Sequence, residues 1–177
     1  MFSCRVSPDT ELRQLQLHDA PQLFALIDRN RAHLRRWLPW VDAIRGIEDE
    51  EAFVRRSLGR FAENGAFDCG IFLHGKIVGG IGLHLIDHTN RKAAIGYWLD
   101  EAHQGKGLMT QSCRAVVNHL FSDLKLNRAI LYCGMENARS RAVAERLGFK
   151  LEGIHRQAEW LYDHFIDLAC YAMLASD

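Results

Sequence analysis

The sequence has no surplus of either charge. Lys and Arg number 22, Asp and Glu number 22, and the formal net charge over 177 residues is zero. A general electrostatic hold on nucleic acid or an anionic membrane needs excess positive charge, so neither partner is expected. The stretch Arg29, Arg31, Arg35, Arg36 could form a local basic patch, but a solvated helix face is the plainer reading. No apolar run of signal-peptide type stands at the start, and no stretch is long enough to span a bilayer. Cysteines are few and odd in number: Cys4, Cys69, Cys113, Cys133 and Cys170, with no C-x-x-C pair. That spacing argues against a disulfide framework and against a zinc site. Cys133 and Cys170 lie in apolar strand-like runs, where a small thiol packs well. A reducing, cytoplasmic setting is the expectation. His84, His88 and His155 are scattered, and no H-x-x-x-H spacing puts two on one helical face, so no metal is expected. Repeats, low-complexity tracts and linkers are also missing, which leaves residues 1–177 as a single domain.

What is present is periodicity. A strand is expected over Glu11 to Leu17, followed by a helix capped by Asp19 that carries Leu23, Leu26 and Ile27 on one face. Pro39 interrupts the segment Leu34 to Val41. A second helix is expected from Ile47 to Ala62, with Phe53, Leu58 and Phe61 among its apolar residues. Phe67 to Leu73 and Ile77 to Leu85, joined by His74-Gly75-Lys76, read as a hairpin. Strands follow at Ala93 to Leu99, Arg128 to Cys133, Lys150 to Gln157 and His164 to Met173. Between them lie a helix ending near Phe121, with Met109, Cys113, Val116, Val117 and Leu120 on one face, and a helix from Asn137 to its cap Gly148. Clustered strands with inserted helices give an α+β domain built on a mixed sheet.

The segment that carries chemistry is Gln104-Gly105-Lys106-Gly107-Leu108-Met109-Thr110, between a strand and an amphipathic helix. Glycines let backbone N–H groups approach a ligand closely. A helix start adds unpaired donors and a partial positive charge. The combination suits a pyrophosphate. It is not a Walker A loop, because the two Gly-Lys pairs are followed by Ile77 and Gly107. Nor is it the G-x-G-x-x-G dinucleotide fingerprint, because Thr110 stands where the third glycine belongs.

This segment resembles the coenzyme A loop of the GCN5-related N-acetyltransferase (GNAT) superfamily, [QR]-x-x-G-x-[GA]. Gln104 and Gly107 match, and Met109 departs from the small last position. A second block, Asn137-Ala138-Arg139-Ser140 leading to Leu147-Gly148-Phe149, is similar to the superfamily's N-x-x-[AS]…G-F helix. Three more stretches, Trp37-Leu38-Pro39-Trp40, Asn90 to Leu99 and Gln157-Ala158-Glu159-Trp160, resemble one branch, the ribosomal-protein-serine N-terminal acetyltransferases. The resemblance implies a mixed, mostly antiparallel sheet with one splayed parallel strand pair and helices on both faces. It implies acetyl-coenzyme A as cosubstrate, held by the 104–110 loop and by backbone groups of Tyr97 and Leu99, and a homodimer. Asn137 is read as a coenzyme A contact, as a helix cap, or as both. Many relatives carry a Tyr seven residues after that Asn as the acid for the leaving thiolate. Here the position is Ala144, and Ser140 is the substitute.

The resemblance also makes Glu159 and Ser140 the catalytic pair, and places Trp37 and Trp40 on the acceptor side, where core packing is the competing role for both. Glu159 would take a proton from the amine and Ser140 would give one to the thiolate. An α-amino group, with a pKa of roughly 8, needs only a modest base. The acceptor is expected to be a protein N-terminus, such as that of a ribosomal protein beginning with Ser. The alternatives are a small amine (a polyamine, an antibiotic or an aminoacyl-nucleotide toxin) and a catalytically idle coenzyme A sensor.

Overall fold

The computed structural model describes residues 2–177. Eight strands form one sheet in the order β1-β2-β3-β4-β5-β6-β8-β7. They are β1 Ser3–Arg5, β2 Thr10–Gln14, β3 Phe67–Leu73, β4 Lys76–Asp87, β5 Lys92–Leu99, β6 Arg128–Gly134, β7 Lys150–Leu161 and β8 His164–Leu174. The helices are α1 Ala20–Arg29, α2 Arg31–Leu34, α3 Ile47–Asn64, α4 Leu108–Ser122 and α5 Ala138–Leu147. Every neighbouring pair is antiparallel except β5 with β6. The β3–β4 hairpin closes through His74 and Gly75, both at positive φ, the two-residue turn that matches strand twist.

Strand alternation divides the core in two. Ile71 and Val78 point to one face, where Cys113, Val116 and Leu120 of α4 and Val143 of α5 cover them. Phe72 and Ile77 point to the other, against Leu23, Leu26 and Ile27 of α1 and Val54 of α3. The helices therefore lie on both faces of a mixed sheet, as the family resemblance implies.

Several boundaries differ from the sequence reading. The first long strand ends at Gln14, because Leu17–Asp19 tightens into a 3-10 turn in which Asp19 accepts from the Gln16 N–H at 2.8 Å and binds Arg13. The edge strand β1 and the one-turn α2 are too short for periodicity to signal. In α3 the fully buried positions are Glu50, Val54 and Ser57, while the expected Phe53, Leu58 and Phe61 are half-buried. β7 runs on to Leu161 past an irregularity between His155 and Glu159, where Gln157 has positive φ and its N–H bonds to the Asp167 carboxylate.

Candidate active site

The pairing of β5 with β6 runs only from Lys92–Arg128 to Ile95–Leu131. Beyond it the two strands part. The Asp100 N–H bonds to the Val78 carbonyl, so alternate residues Trp98 and Gly96 bond to β4. Tyr97 and Leu99 therefore turn their backbone N–H and C=O groups toward the gap. These are the two residues that the family resemblance singles out on this strand.

The loop after β5 is tied down at its base. Asp100 accepts from Arg29 at 3.0 Å and binds His103 at 2.8 Å. Gly105 and Gly107 then take φ of +75° and +77°, the left-handed region that only glycine enters freely. Among the described residues, the N–H groups from Gly105 to Thr110 have no backbone or side-chain acceptor, and the Gln111 N–H is the first to bond, to Gly107 O. Six free donors at the start of a fifteen-residue helix make a cradle for phosphate oxygens.

The side chains of this loop do other work. Gln104 bridges His33 of α2, at 2.8 Å, and Arg139 of α5. Because Arg139 can only donate, Gln104 presents its oxygen there and its NH₂ to His33, whose Nε2 is then the acceptor. Lys106 turns back to the Ala102 carbonyl, 3.2 Å away, and Thr110 Oγ1 accepts from Arg146 at 2.7 Å. Leu108 and Met109 are buried. Met109 packs in the core under α4, which is why a large side chain stands where the motif has a small one.

Across the gap stands a cluster from three elements. Ser140 Oγ lies 3.2 Å from Tyr97 Oη and 3.2 Å from Cys133 Sγ, and Tyr97 Oη donates to the Ser140 carbonyl at 3.0 Å. Burial, with Cys133 and Cys113 nearby, pushes the Tyr97 phenol up. Burial also raises the Cys133 thiol, against the hydrogen bond from Ser140. Both groups stay protonated near neutral pH, so Cys133 is no thiolate nucleophile. Ala144 is fully buried; the phenol nearest Ser140 comes from β5 instead. Asn137 does cap α5, its side-chain oxygen accepting the Ser140 N–H at 3.1 Å, and its NH₂ is uncommitted among the described residues.

On the far side of Gly134 a cavity of about 710 Å³ opens between α2, the end of β6 and the β7–β8 turn. Trp37 lines it. A Cβ built on Gly134 would lie 3.6 Å from both Trp37 Cε3 and Ile166 Cδ1. Trp40 is not in the wall. It packs edge-on against Trp98, centroids 6.2 Å apart, in the α1–α3 core, so packing is its observed role. Glu159 pairs with Ile166 and so points to the same face of the sheet, but it does not line the cavity. It is half-buried, has no hydrogen bond or ion pair among the described residues, and burial raises its pKa. It does not bond to Ser140.

The arginines of the α1–α2 region form no basic patch, and they are more than a solvated face. Arg29 bonds to Asp100, Arg31 to the carbonyls of Val41 and Ile44, Arg35 to Asp42, and Arg36 lies over the Trp37 ring. Sequence reasoning missed Cys133, His33 and Arg139 as members of the site, because only folding brings them to it. Among the described residues no group of three His, Cys, Asp or Glu could hold a metal ion. Among the described residues no helix is long and apolar enough to cross a membrane.

The acetyltransferase (GNAT) domain family matches residues 9–150. The ribosomal-protein-serine acetyltransferase of Escherichia coli (strain K12) is 34% identical over 170 residues, 96% of this chain and 95% of that one. RimL, a ribosomal L7/L12 alpha-N-protein acetyltransferase solved with coenzyme A disulfide-bonded to a cysteine, superposes with a TM-score of 0.95 at 32% identity, over 99% of this chain and all of that one. The microcin C7 self-immunity acetyltransferase MccE, solved with acetyl-CoA and AMP, gives a TM-score of 0.91 at 30% identity, over 96% and 94% of the two chains. The free donors of the 105–110 loop and the parted strands are the features such a cosubstrate requires, and the chain belongs to the GNAT family as an acetyl-coenzyme A-dependent N-acetyltransferase.

Proposed function

We propose that the protein acetylates the α-amino group of a protein N-terminus, of the kind a ribosomal protein beginning with Ser presents, and that it works as a homodimer. The observation that carries the acceptor side is the cavity beyond Gly134. It opens where β6 ends, next to the gap, and its volume suits a few residues of extended chain. Likeness along the whole chain to enzymes that act on ribosomal proteins supports the same acceptor.

When bound, acetyl-coenzyme A supplies the acetyl group as a thioester. The N–H groups of Gly105 to Thr110 hold the pyrophosphate. Tyr97 and Leu99 hold the pantetheine through backbone groups, and the free NH₂ of Asn137 adds a donor. The Leu99 N–H polarises the acetyl carbonyl. In the RimL complex a cysteine reaches the coenzyme A sulfur; here Cys133, beside Ser140, is the thiol at the gap. Ser140 gives a proton to the departing sulfur. Glu159, with no cation to hold its proton off and a pKa raised by burial, takes the proton of the amine, directly or through water.

A second reading keeps the chemistry and changes the acceptor to a small amine or an aminoacyl nucleotide. The likeness to MccE and the aromatic Trp37 and Phe165 in the cavity wall support it. Thiol release from acetyl-coenzyme A with a Ser-starting peptide, set against spermidine and aminoacyl-adenylate analogues, separates the two. A protein that binds coenzyme A and releases no thiol with any of them is a sensor.

Glu159→Gln tests the base. It is expected to lower kcat by roughly 10²–10⁴-fold and to leave the KM for acetyl-coenzyme A unchanged. The wild-type rate should fall as pH drops through the raised Glu159 pKa, because only the ionised form accepts a proton. The variant's deficit should shrink as pH rises above the amine's pKa, where the neutral amine forms unaided. Equal rates for both proteins from pH 6 to 9 would remove Glu159 from the mechanism.

A further inference from the structure

Tyr162 stands at the tip of the β7–β8 turn with φ of +63°. A bulky residue rarely occupies that left-handed region, where glycine sits without cost. Tyr162 is one of six non-glycine residues at positive φ among the described residues, and its side chain's partners set it apart. The Tyr162 hydroxyl donates to the Leu38 carbonyl at 2.6 Å, across 124 residues of sequence. Its ring carries the Arg35 guanidinium, 3.8 Å from the centroid. Arg35 in turn bonds to both Asp42 oxygens at 3.0 Å. The Trp37-Leu38-Pro39-Trp40 turn is thus fastened to the β7–β8 turn, and Trp37 and Tyr162 both line the cavity beyond Gly134.

We propose that Tyr162 is a positioning residue for the acceptor: with Arg35 and Asp42 it latches the two walls of the cavity together and sets the width that the acceptor must fit. The proposal rests on reading that cavity as the acceptor site. The fastening is local. Arg31 independently holds the next stretch through the Val41 and Ile44 carbonyls, so loss of the Tyr162 bond frees the turn without freeing the segment behind it. Burial keeps the phenol protonated, and hence a donor, through the neutral range.

Tyr162→Phe removes the bond to Leu38 and keeps the ring under Arg35. Hydrogen exchange is the first readout. The Trp37 and Leu38 amides, bonded to Leu34 O, should exchange faster, while the Ala43 and Ile44 amides, bonded to Trp40 O and Val41 O, keep their protection. Unchanged exchange at residues 37 and 38 overturns the latch. Steady-state kinetics is the second readout, with a Ser-starting peptide and spermidine assayed side by side. The KM for whichever is acetylated should rise about tenfold, as for the loss of one well-placed hydrogen bond. The KM for acetyl-coenzyme A should not move. Tyr162→Leu, which also removes the ring, should lose more, with Phe as the partial rescue. If exchange quickens and neither acceptor KM changes, the positioning role falls while the latch stands. Trp37→Ala then tests the cavity by itself: an unchanged acceptor KM there means that the acceptor binds elsewhere.

Discussion

Ser140 has one hydroxyl proton and two neighbours within reach of it. The Tyr97 proton is committed to the Ser140 carbonyl at 3.0 Å, so Tyr97 accepts from Ser140, whose single proton is shared between the Tyr97 oxygen and the Cys133 sulfur, each 3.2 Å away. Such a chain holds the Ser140 hydroxyl in place yet lets it turn toward a departing sulfur. Ser140→Ala should therefore lower kcat, and the deficit should diminish when coenzyme A is replaced by a thiol of lower pKa, which leaves without help. Tyr97→Phe keeps the ring and removes only the hydroxyl that orients Ser140. A loss of roughly tenfold in kcat is expected, the scale of one hydrogen bond. Wild-type kcat in both variants would reduce the cluster to packing. Ser140 was legible in the sequence through its place one turn after Asn137. Its contact with the Tyr97 side chain was not, because 43 residues separate the two and only the parting of β5 from β6 makes room for it.

At the scale of elements, α4 and the glycines before it were the most legible part of the chain. The five apolar positions read from periodicity are all buried. Gly107 has φ of +77°, and a Cβ there meets only Gln111 Nε2 at 3.7 Å. Gly107→Val is thus costly through backbone conformation and through the space a phosphate needs, not through a clash with the fold. Coenzyme A affinity measured by calorimetry should fall more than tenfold in a variant whose circular dichroism is unchanged; equal affinity would displace the cradle. α3 was less legible, since periodicity marks apolar residues and its buried stripe includes Glu50. Burial, aided by Asp49 and opposed by Arg56, pushes the Glu50 carboxyl up to about 7. A carboxyl raised on folding adds stability that is complete below its unfolded pKa of 4.5 and is lost as pH rises through the folded value. Glu50→Gln removes that dependence. Between pH 4 and pH 8 the wild type should lose up to about 3 kcal/mol relative to the variant, at 1.36 kcal/mol per pKa unit. Parallel urea-denaturation stabilities across that range would show Glu50 to be ordinary. The one-turn α2 and the arginine partnerships around it carry no periodic signal; they depend on where Val41, Asp42 and Asp100 come to rest.

The whole sheet is covered unevenly. On the face that receives Trp98, helices α1 and α3 pack over β2, β3 and β4 and stop there. The same face continues through Ala94 of β5, Ile130 and Tyr132 of β6, Cys170 of β8 and His155 of β7, by strand alternation and register. Ala94, Ile130 and Cys170 form a small separate cluster there. Tyr132 lies against His155, centroids 5.7 Å apart, and is 42% exposed. β7 also ends the sheet, a twelve-residue strand with one edge unpaired, and Leu151, Ile154 and Trp160 along it are exposed. That edge carries Leu151, Ile154 and Trp160 among charged residues such as Glu152 and Arg156, and beside a half-bare face it is a surface open to a partner. The proposed homodimer would supply a cover, since a second copy would present the same patch about a two-fold axis. Sedimentation at micromolar protein should give twice the chain mass. Tyr132→Arg, on the open face and away from the coenzyme loop, should shift that mass to the single chain while the melting transition stays cooperative. A wild type that sediments as a single chain up to 100 μM is no dimer. A Tyr132→Arg variant that stays paired moves the interface to another face of the molecule.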